Sequence, residues 1–389
     1  MSKRALVIGG GFAGVEAAIF LRKRGLDVTL VAERPYLWMY PTSIWVATGE
    51  FPPERVQLDL GAVAAKHGFE LKQAKVESVS GASRSVRAGG ETLQADYLVV
   101  GLGGGRLAPK GVEHTFTISA DPAATETYRN ALQALIDKGS GRIAIGFGGN
   151  PKDSSAARGG PAFELMFNVD RLLRRRGLRD RFELTFFAPM PVPGERMGKK
   201  AVAAVKSMFE KLGVQTRYGK KIASFDVGGS VVFEDGSRLE SDLTMFISAV
   251  DGHPLLKASD LPLNDAGFVR IDEGCAVPGF EGVFVIGDSA ALEGPPWRAK
   301  QGHMAEVMAR VAAANIAAIE AGDPARESYL PHMSIICLMD MGNGAAYVKR
   351  DDATETMVPM PVFGHWAKKG WGGYYKLSKL GRVPRLPGM

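Results

Sequence analysis

Apolar runs and their spacing divide the chain into alternating strands and helices. Ala5-Leu6-Val7-Ile8 reads as the centre of a short buried strand over 4–8, Phe12 to Arg24 as a helix, and Asp27 to Val31 as a second strand. Together they make a βαβ opening. A helix is expected near 59–67. Alternating segments at 69–79, 83–87 and 91–94 read as a small meander, and Tyr97 to Val100 as another buried strand. The pattern is helical at 121–137, extended from Arg142 to Ile145, helical at 161–176, extended at 182–187 and helical again at 198–212. Short alternating strands around an Asp235-Gly236 turn follow. Val283 to Ile286 reads as a buried strand, 300–320 as a long helix, and Ser334 to Lys349 as a hairpin around Asn343-Gly344. Two α/β units, starting at residues 4 and 142, predict an α/β fold of two Rossmann-like domains with a C-terminal region added. No apolar run approaches the length of a membrane-spanning helix, and the first apolar run is too short for a signal-peptide core. The expected location is therefore cytoplasmic.

The C-terminal region has a pattern of its own. On a helical wheel Phe363, Trp366, Ala367, Trp371, Tyr374, Leu377 and Leu380 fall on one half, and Lys368, Lys369, Lys376 and Lys379 on the other. Aromatic residues opposite lysines suit a helix lying in a membrane interface, although Gly370, Gly372 and Gly373 weaken it. An ordinary docking helix or a dimer contact fits the same pattern. The net charge of +6 comes from this region: Met357 to Met389 carries Lys368, Lys369, Lys376, Lys379, Arg382 and Arg385 with no acidic residue. The rest of the chain has as many acidic as basic residues, so no surface is predicted for nucleic acid. At 389 residues the chain suits two domains plus a tail, and two cysteines exclude a disulfide scaffold or a cysteine-ligated metal domain. No metal ligand set is predicted.

Gly9-Gly10-Gly11-Phe12-Ala13-Gly14 fits G-x-G-x-x-G between a strand and a helix. The first glycine makes the turn, the second admits a pyrophosphate to the backbone, and the third lets helix and strand pack closely. The helix N-terminus favours phosphate charge. Glu33 ends the second strand, where a carboxylate can accept from ribose hydroxyls. Val283-Phe284-Val285-Ile286-Gly287-Asp288 resembles the place where flavoproteins hold the ribityl and pyrophosphate of FAD, and Asp96 to Gly104 resembles the intervening strand and turn. Taken alone, Asp288 is equally a strand-end turn or helix cap. The second α/β unit is degenerate. Gly146-Phe147-Gly148-Gly149-Asn150-Pro151 has Pro in place of the third glycine, and its next strand ends in Ala188-Pro189 with no acid for a ribose.

These motifs together resemble the sulfide:quinone oxidoreductases and the flavoprotein subunit of flavocytochrome c sulfide dehydrogenases, relatives of the type II NADH dehydrogenases. The resemblance rests also on Met39-Tyr40-Pro41-Thr42-Ser43-Ile44-Trp45, Gly160-Pro161-Ala162-Phe163-Glu164 and Lys300-Gln301-Gly302-His303-Met304. It implies an FAD-binding domain from 1–108 and 255–325, a second Rossmann-like domain over 109–254, and a hairpin and amphipathic tail over 326–389. It implies FAD contacts at Gly9, Gly11, Phe12, Ala13, Gly14, Glu33, Arg34, Pro41, Val76, Gly101, Gly287, Asp288, Lys300 and Gln301. Lys300 and Gln301 are expected to begin the long helix, with the Lys300 ammonium near the flavin. A small, sulfur-type donor would pass electrons through FAD to a membrane quinone, with the protein peripheral on the cytoplasmic membrane through its tail. Of the family's two redox cysteines, Cys337 matches one. The other is missing, since Ser154 to Gly159 holds no thiol, and Cys275 matches neither. Cys337 also reads as a small buried strand residue. Two alternatives stay open: an NADH:quinone oxidoreductase, and a flavoprotein subunit serving a partner protein. A homo-oligomer is compatible with each.

Overall fold

Strands far apart in sequence assemble a five-stranded parallel sheet in the order Val283–Val285, Tyr97–Val100, Arg4–Ile8, Asp27–Ala32 and Glu70–Gln73. The computed structural model describes residues 2–119 and 121–386. The three central strands are apolar because both sheet faces are covered. A second parallel sheet runs Gln215–Tyr218, Phe182–Ala188, Gly141–Phe147 and Leu243–Ile247. Its core is aromatic, with Phe163 and Phe186 stacked at 4.6 Å and Phe147 and Phe209 beside them. A two-stranded ribbon, Gly105–Leu107 against Ala249–Asp251, lies where the chain enters and leaves this second unit.

Among the described residues nine α-helices cover the sheets: α1 (Phe12–Lys23), α2 (Ile44–Ala47), α3 (Leu60–His67), α4 (Pro122–Lys138), α5 (Gly160–Arg175), α6 (Lys199–Leu212), α7 (Pro254–Lys257), α8 (Gly302–Glu320) and α9 (Phe363–Lys379). Local chemistry sets several ends. Asp59 accepts from Ala62 N at 3.1 Å to start α3, and Asp121 accepts from Ala124 N at 2.7 Å to start α4. Gly68 and Gly139 close them with φ of 74° and 90°. α1 packs on α8 and on the first two strands.

Four expectations change. Glu70–Gln73 leaves the meander and joins the edge of the first parallel sheet, so the meander is Val76–Ser80, Ser85–Ala88 and Glu91–Gln94. The expected hairpin becomes a three-stranded antiparallel sheet of Ile335–Asp340, Gly344–Arg350 and Glu355–Pro361. Its third strand contains Pro359 and Pro361, which an edge strand tolerates. The turn residue is Gly342 at φ 84°, while Gly344 already belongs to the second strand. α8 begins at Gly302, so Lys300 and Gln301 precede it.

α9 runs through its glycines because two of them lie against the body. A Cβ on Gly364 would stand 2.7 Å from Ala345 N, and one on Gly372 would stand 3.1 Å from the Thr42 methyl.

Candidate functional site

The glycine-rich turn divides its glycines by role. Gly9 has φ 111°, and a Cβ there would lie 2.2 Å from Gly101 O. A Cβ on Gly14 would lie 1.8 Å from Gly9 O, so only glycine lets α1 leave the first strand this closely. Gly11 differs: nothing stands within 4 Å of its Cβ position. Its open side, at the N-terminus of α1, leaves room for a phosphate to approach the backbone. Ala13 faces Gly287, which takes φ 65° after the Val283–Val285 strand. Gly101, from the neighbouring strand, completes this contact set with its Cβ position 3.3 Å from Gly14 N. Glu33 and Arg34 stand exposed at the end of Asp27–Ala32. Arg34 lies 5.8 Å over the Tyr36 ring, and both line a cavity of 390 Å³ with Gln57 and Asp121. Val76 is buried at the start of the meander, and Pro41 sits in a single 3₁₀ turn, Tyr40–Thr42.

Asp288 follows Gly287 and pairs with Arg158, from the loop before α5. A guanidinium thus occupies the stretch where the resemblance places a thiol. Lys300 does not stand in the first turn of α8. Its buried ammonium donates to the carbonyls of Asp288 and Ala290 and lies 3.8 Å over the Phe268 ring. Burial pulls it down to about 7, with Arg158 and Arg298 pushing the same way against Asp153. Gln301 is the residue before α8, and its Oε1 accepts from Ile336 N at 3.4 Å. His303 is held down to about 4, chiefly by burial, and contacts Ser334 Oγ at 3.2 Å.

Cys337 lies half-buried in the first strand of the antiparallel sheet, opposite Val348. Burial, and then the charge of Glu164, push its thiol up to about 12, and Lys368 only partly opposes them. Cys337 is therefore a neutral thiol rather than a ready thiolate. Glu164 is buried and ion-paired to Lys368. Its Oε1 also accepts from Asp340 N at 3.2 Å. Asp340 accepts from Asn168 Nδ2 at 2.9 Å and Gly342 N at 2.9 Å, and its Oδ2 meets His365 Nδ1 at 2.6 Å. Asn168 and His365 carry no motif in the sequence, and Asp340 stands there only as part of Cys337-Leu338-Met339-Asp340. Glu164 stands there only as part of Gly160-Pro161-Ala162-Phe163-Glu164. The contact sets Asn168 and Glu164 on α5 against residues more than 170 positions away, which spacing does not reveal.

The tail reverses an expectation. Lys368 and Lys379 are buried rather than facing outward. Lys379 pairs with Glu16 at 2.5 Å and Glu306 at 2.6 Å, Lys369 with Glu50 at 2.7 Å, and Arg385 with Glu16 at 2.6 Å. Burial works against the Glu16 charge, but Lys379 and Arg385 outweigh it and hold that carboxyl below the usual range. Four of the six basic residues, Lys368, Lys369, Lys379 and Arg385, are thus not free charges but answer carboxylates elsewhere in the chain. The outward stripe is Phe363, Trp366 and Leu377, with Phe363 68% and Trp366 64% exposed.

In the second unit, Asn150 turns inward and donates to Val250 O at 3.0 Å. The following loop is tied down by Arg196, which donates to Ser155 O, Ala157 O and Arg298 O.

Two parallel α/β sheets, a phosphate-shaped glycine turn on the first and a degenerate one on the second define a flavoprotein oxidoreductase of the two-dinucleotide-fold class. The chain belongs to the pyridine nucleotide-disulphide oxidoreductases, whose sequence profile matches residues 3–317. Its cofactor is FAD, and the open side of Gly11 fits that group. The chain is similar to a sulfide-quinone reductase of Aquifex aeolicus, 27% identical over 405 aligned positions that cover 96% of this chain and 90% of that protein. A type II NADH:quinone oxidoreductase of Mycobacterium tuberculosis is 27% identical over 331 positions, covering 75% and 68% of the two chains. Among solved structures, the sulfide:quinone oxidoreductase of Aquifex aeolicus superposes with a TM-score of 0.87 at 23% identity, over 98% of this chain and 92% of that one. Putidaredoxin reductase, in its covalent complex with putidaredoxin, gives 0.68 at 18% identity, over 99% and 94%. No helix among the described residues is long and apolar enough to cross a membrane.

Proposed function

We propose that this protein is a sulfide:quinone oxidoreductase-like enzyme that takes electrons from a small sulfur donor and passes them to membrane quinone. The observation that carries the reading is the contact between Glu164, on the Gly160-Pro161-Ala162-Phe163-Glu164 helix start, and the strand holding Cys337, in a chain similar along nearly its whole length to a sulfide-quinone reductase. FAD, when bound, accepts the donor's electrons and yields them to the acceptor. Gly9, Gly11, Phe12, Ala13, Gly14 and Gly101 would seat its pyrophosphate, Glu33 and Arg34 its nucleoside end, and Gly287 and Asp288 its ribityl chain. Pro41, Val76, Lys300 and Gln301 complete the proposed set. The neighbourhood of Lys300 is cationic, with Arg158 and Arg298 beside it, which favours negative charge there.

Cys337 would hold the donor sulfur. One Cys337 thiol and one hydrogen sulfide give a persulfide with release of two protons and two electrons. With no second thiol in Ser154 to Gly159, the persulfide sulfur leaves to an external thiol, cyanide or another sulfide. The apolar stripe of Phe363 and Trp366, with Val358 and Val362 beside it, would rest on the membrane. Support for excluding NADH comes from Pro151, the inward Asn150 and the loop tied by Arg196.

Anaerobic mixing of the FAD-loaded protein with each donor tests the reading. Sulfide plus a thiol acceptor should bleach the flavin, decylubiquinone should restore it, and NADH should do little. Fast bleaching by NADH would replace the proposal with the NADH:quinone reading. An unchanged sulfide rate in Cys337→Ser, at equal FAD content, would remove the sulfur role.

A further inference from the structure

We propose that the cavity between the end of α2 and the last two turns of α5 receives the headgroup of an anionic phospholipid, with Arg171, Arg175 and Arg176 as the cations that meet its phosphate. The inference rests on the proposed reading of α9 as a helix whose apolar stripe lies on the membrane, and it names the lipid which that contact prefers.

Helix period brings one wall together. Asn168, Arg171, Leu172 and Arg175 recur at the three- and four-residue spacing of a single face of α5, and Arg176 ends the helix. Thr48, Gly49 and Glu50, leaving α2, form the other wall. The cavity measures 270 Å³, which at about 30 Å³ per molecule is space for about nine waters. A phosphate with a small alcohol attached fits such a space.

The charge along these walls is one-sided. Glu50 is the carboxylate of the lining, and it is answered twice, by Arg171 at 3.3 Å and by Lys369 at 2.7 Å. Burial works against the Glu50 charge, but Lys369 and Arg171 outweigh it and hold that carboxyl below the usual range. Arg171 uses Nε on Asn343 Oδ1 at 3.2 Å and one terminal nitrogen on Glu50, and neither bond takes its second terminal nitrogen. The neighbouring acid, Asp170, is occupied by Arg174 and Arg179. Arg175 and Arg176 are exposed, and among the described residues neither joins an ion pair. The lining thus holds guanidinium donors in excess of carboxylates, the donor set that a phosphate completes. Basic residues in a last turn also answer the helix dipole. That role asks only for charge near the helix end. It requires neither a cavity nor Arg171, one turn earlier, lining it.

The place of the cavity selects a lipid over a phosphate in solution. Lys369, whose ammonium sits on Glu50, also lies 5.1 Å over the ring of the exposed Trp366. One side chain therefore separates the cavity wall from the outward stripe of α9. A phospholipid joins a phosphate to apolar chains, so it meets the arginines and the stripe together. A soluble anion gains from the arginines alone. Phosphatidylcholine carries a cation beside its phosphate, which the surplus arginines repel, so a headgroup of net negative charge is preferred.

The FAD-loaded protein should be co-sedimented, in high salt, with vesicles of phosphatidylcholine and with vesicles in which part of it is replaced by phosphatidylglycerol. High salt screens exposed charges but does less to pairs held in a cavity. The parent should partition about fivefold better onto the phosphatidylglycerol vesicles. Arg175→Gln with Arg176→Gln should remove that preference and leave binding to pure phosphatidylcholine as in the parent. Lys75→Gln with Lys110→Gln, which removes as much charge from exposed positions on other elements, should keep it. A preference that salt abolishes, or that the Lys75 and Lys110 variant also loses, is attraction to net charge and overturns the proposal. Inorganic phosphate that abolishes the preference assigns the cavity to a soluble anion and overturns it as well. Equal binding to both vesicles overturns the headgroup site and leaves the stripe standing. Full binding of phosphatidylglycerol vesicles by Phe363→Ser with Trp366→Ser overturns the membrane reading of the stripe and leaves the headgroup site standing.

Discussion

Gly11 and Gly14 lie three positions apart and face opposite constraints. Gly11 is in extended backbone that any residue adopts, with open space around it. Gly11→Val should therefore fold and lose flavin, read as the flavin absorbance per chain, because the valine methyls would occupy the pyrophosphate's place. Gly14→Val has no such room, and its failure should appear as insoluble protein. Cys337 offers a second residue-scale test. Its thiol is lifted to about 12, so the thiolate fraction is small at neutral pH and grows as pH rises toward that value. Alkylation by iodoacetamide, followed by mass spectrometry, should be slow at neutral pH and climb steeply with pH. Glu164→Gln, which removes the negative charge facing the thiol, should raise the rate severalfold. Cys275 is fully buried and should not compete. The glycine turn was legible in the sequence because local sterics write it. The environment of Cys337 was not, because Glu164 and Lys368, which meet beside it, lie 204 positions apart in the chain.

At the scale of elements, α9 shows what a wheel reveals and what it leaves open. Its amphipathic period is plain in the sequence, but the period does not say which side faces in. Long lysine stems pack as apolar chains once a carboxylate waits at the end, and Glu16, Glu164 and Glu306 wait there. Lys379→Met leaves two buried carboxylates short of a cation and should cost about 3–5 kcal/mol, measured by urea unfolding of the FAD-loaded protein. The outward stripe gives the opposite kind of prediction. Phe363→Ser with Trp366→Ser should lower co-sedimentation with liposomes while leaving stability near that of the parent. Binding by the parent should change little with salt, because its tail cations are largely paired already. Binding that vanishes in high salt would return the lysines to the surface. The third strand of the antiparallel sheet escaped notice for a related reason: its two prolines argue against a strand, except at an edge.

For the whole molecule, α9 acts as a staple. Lys379 fastens it to α1 and α8 beside the first sheet, and Lys368 fastens it to α5 beside the second. The unit count, two α/β repeats, followed from hydrophobic period alone. The strand order did not, since Val283–Val285 joins the sheet beside Tyr97–Val100 after the whole second unit has intervened. The staple predicts one cooperative unfolding transition, with flavin release and tryptophan fluorescence changing together. In a Lys368→Met, Lys379→Met double variant the two signals should separate, with one sheet melting before the other. Coincident curves in the double variant would show that the interface between the sheets, not α9, sets the cooperativity.

The same staple orders events during synthesis. Glu16 is made well before one of the cations it pairs with, Lys379, which lies 363 positions later. A ribosome that has delivered both sheets has still not delivered Lys379, so until then Glu16 and Glu306 lack that cation. Stable flavin capture is expected to follow the synthesis of Lys379 rather than the completion of either sheet. A prematurely terminated chain keeps its glycine turn but presents unsatisfied carboxylates, the kind of product that proteases of the cell remove first.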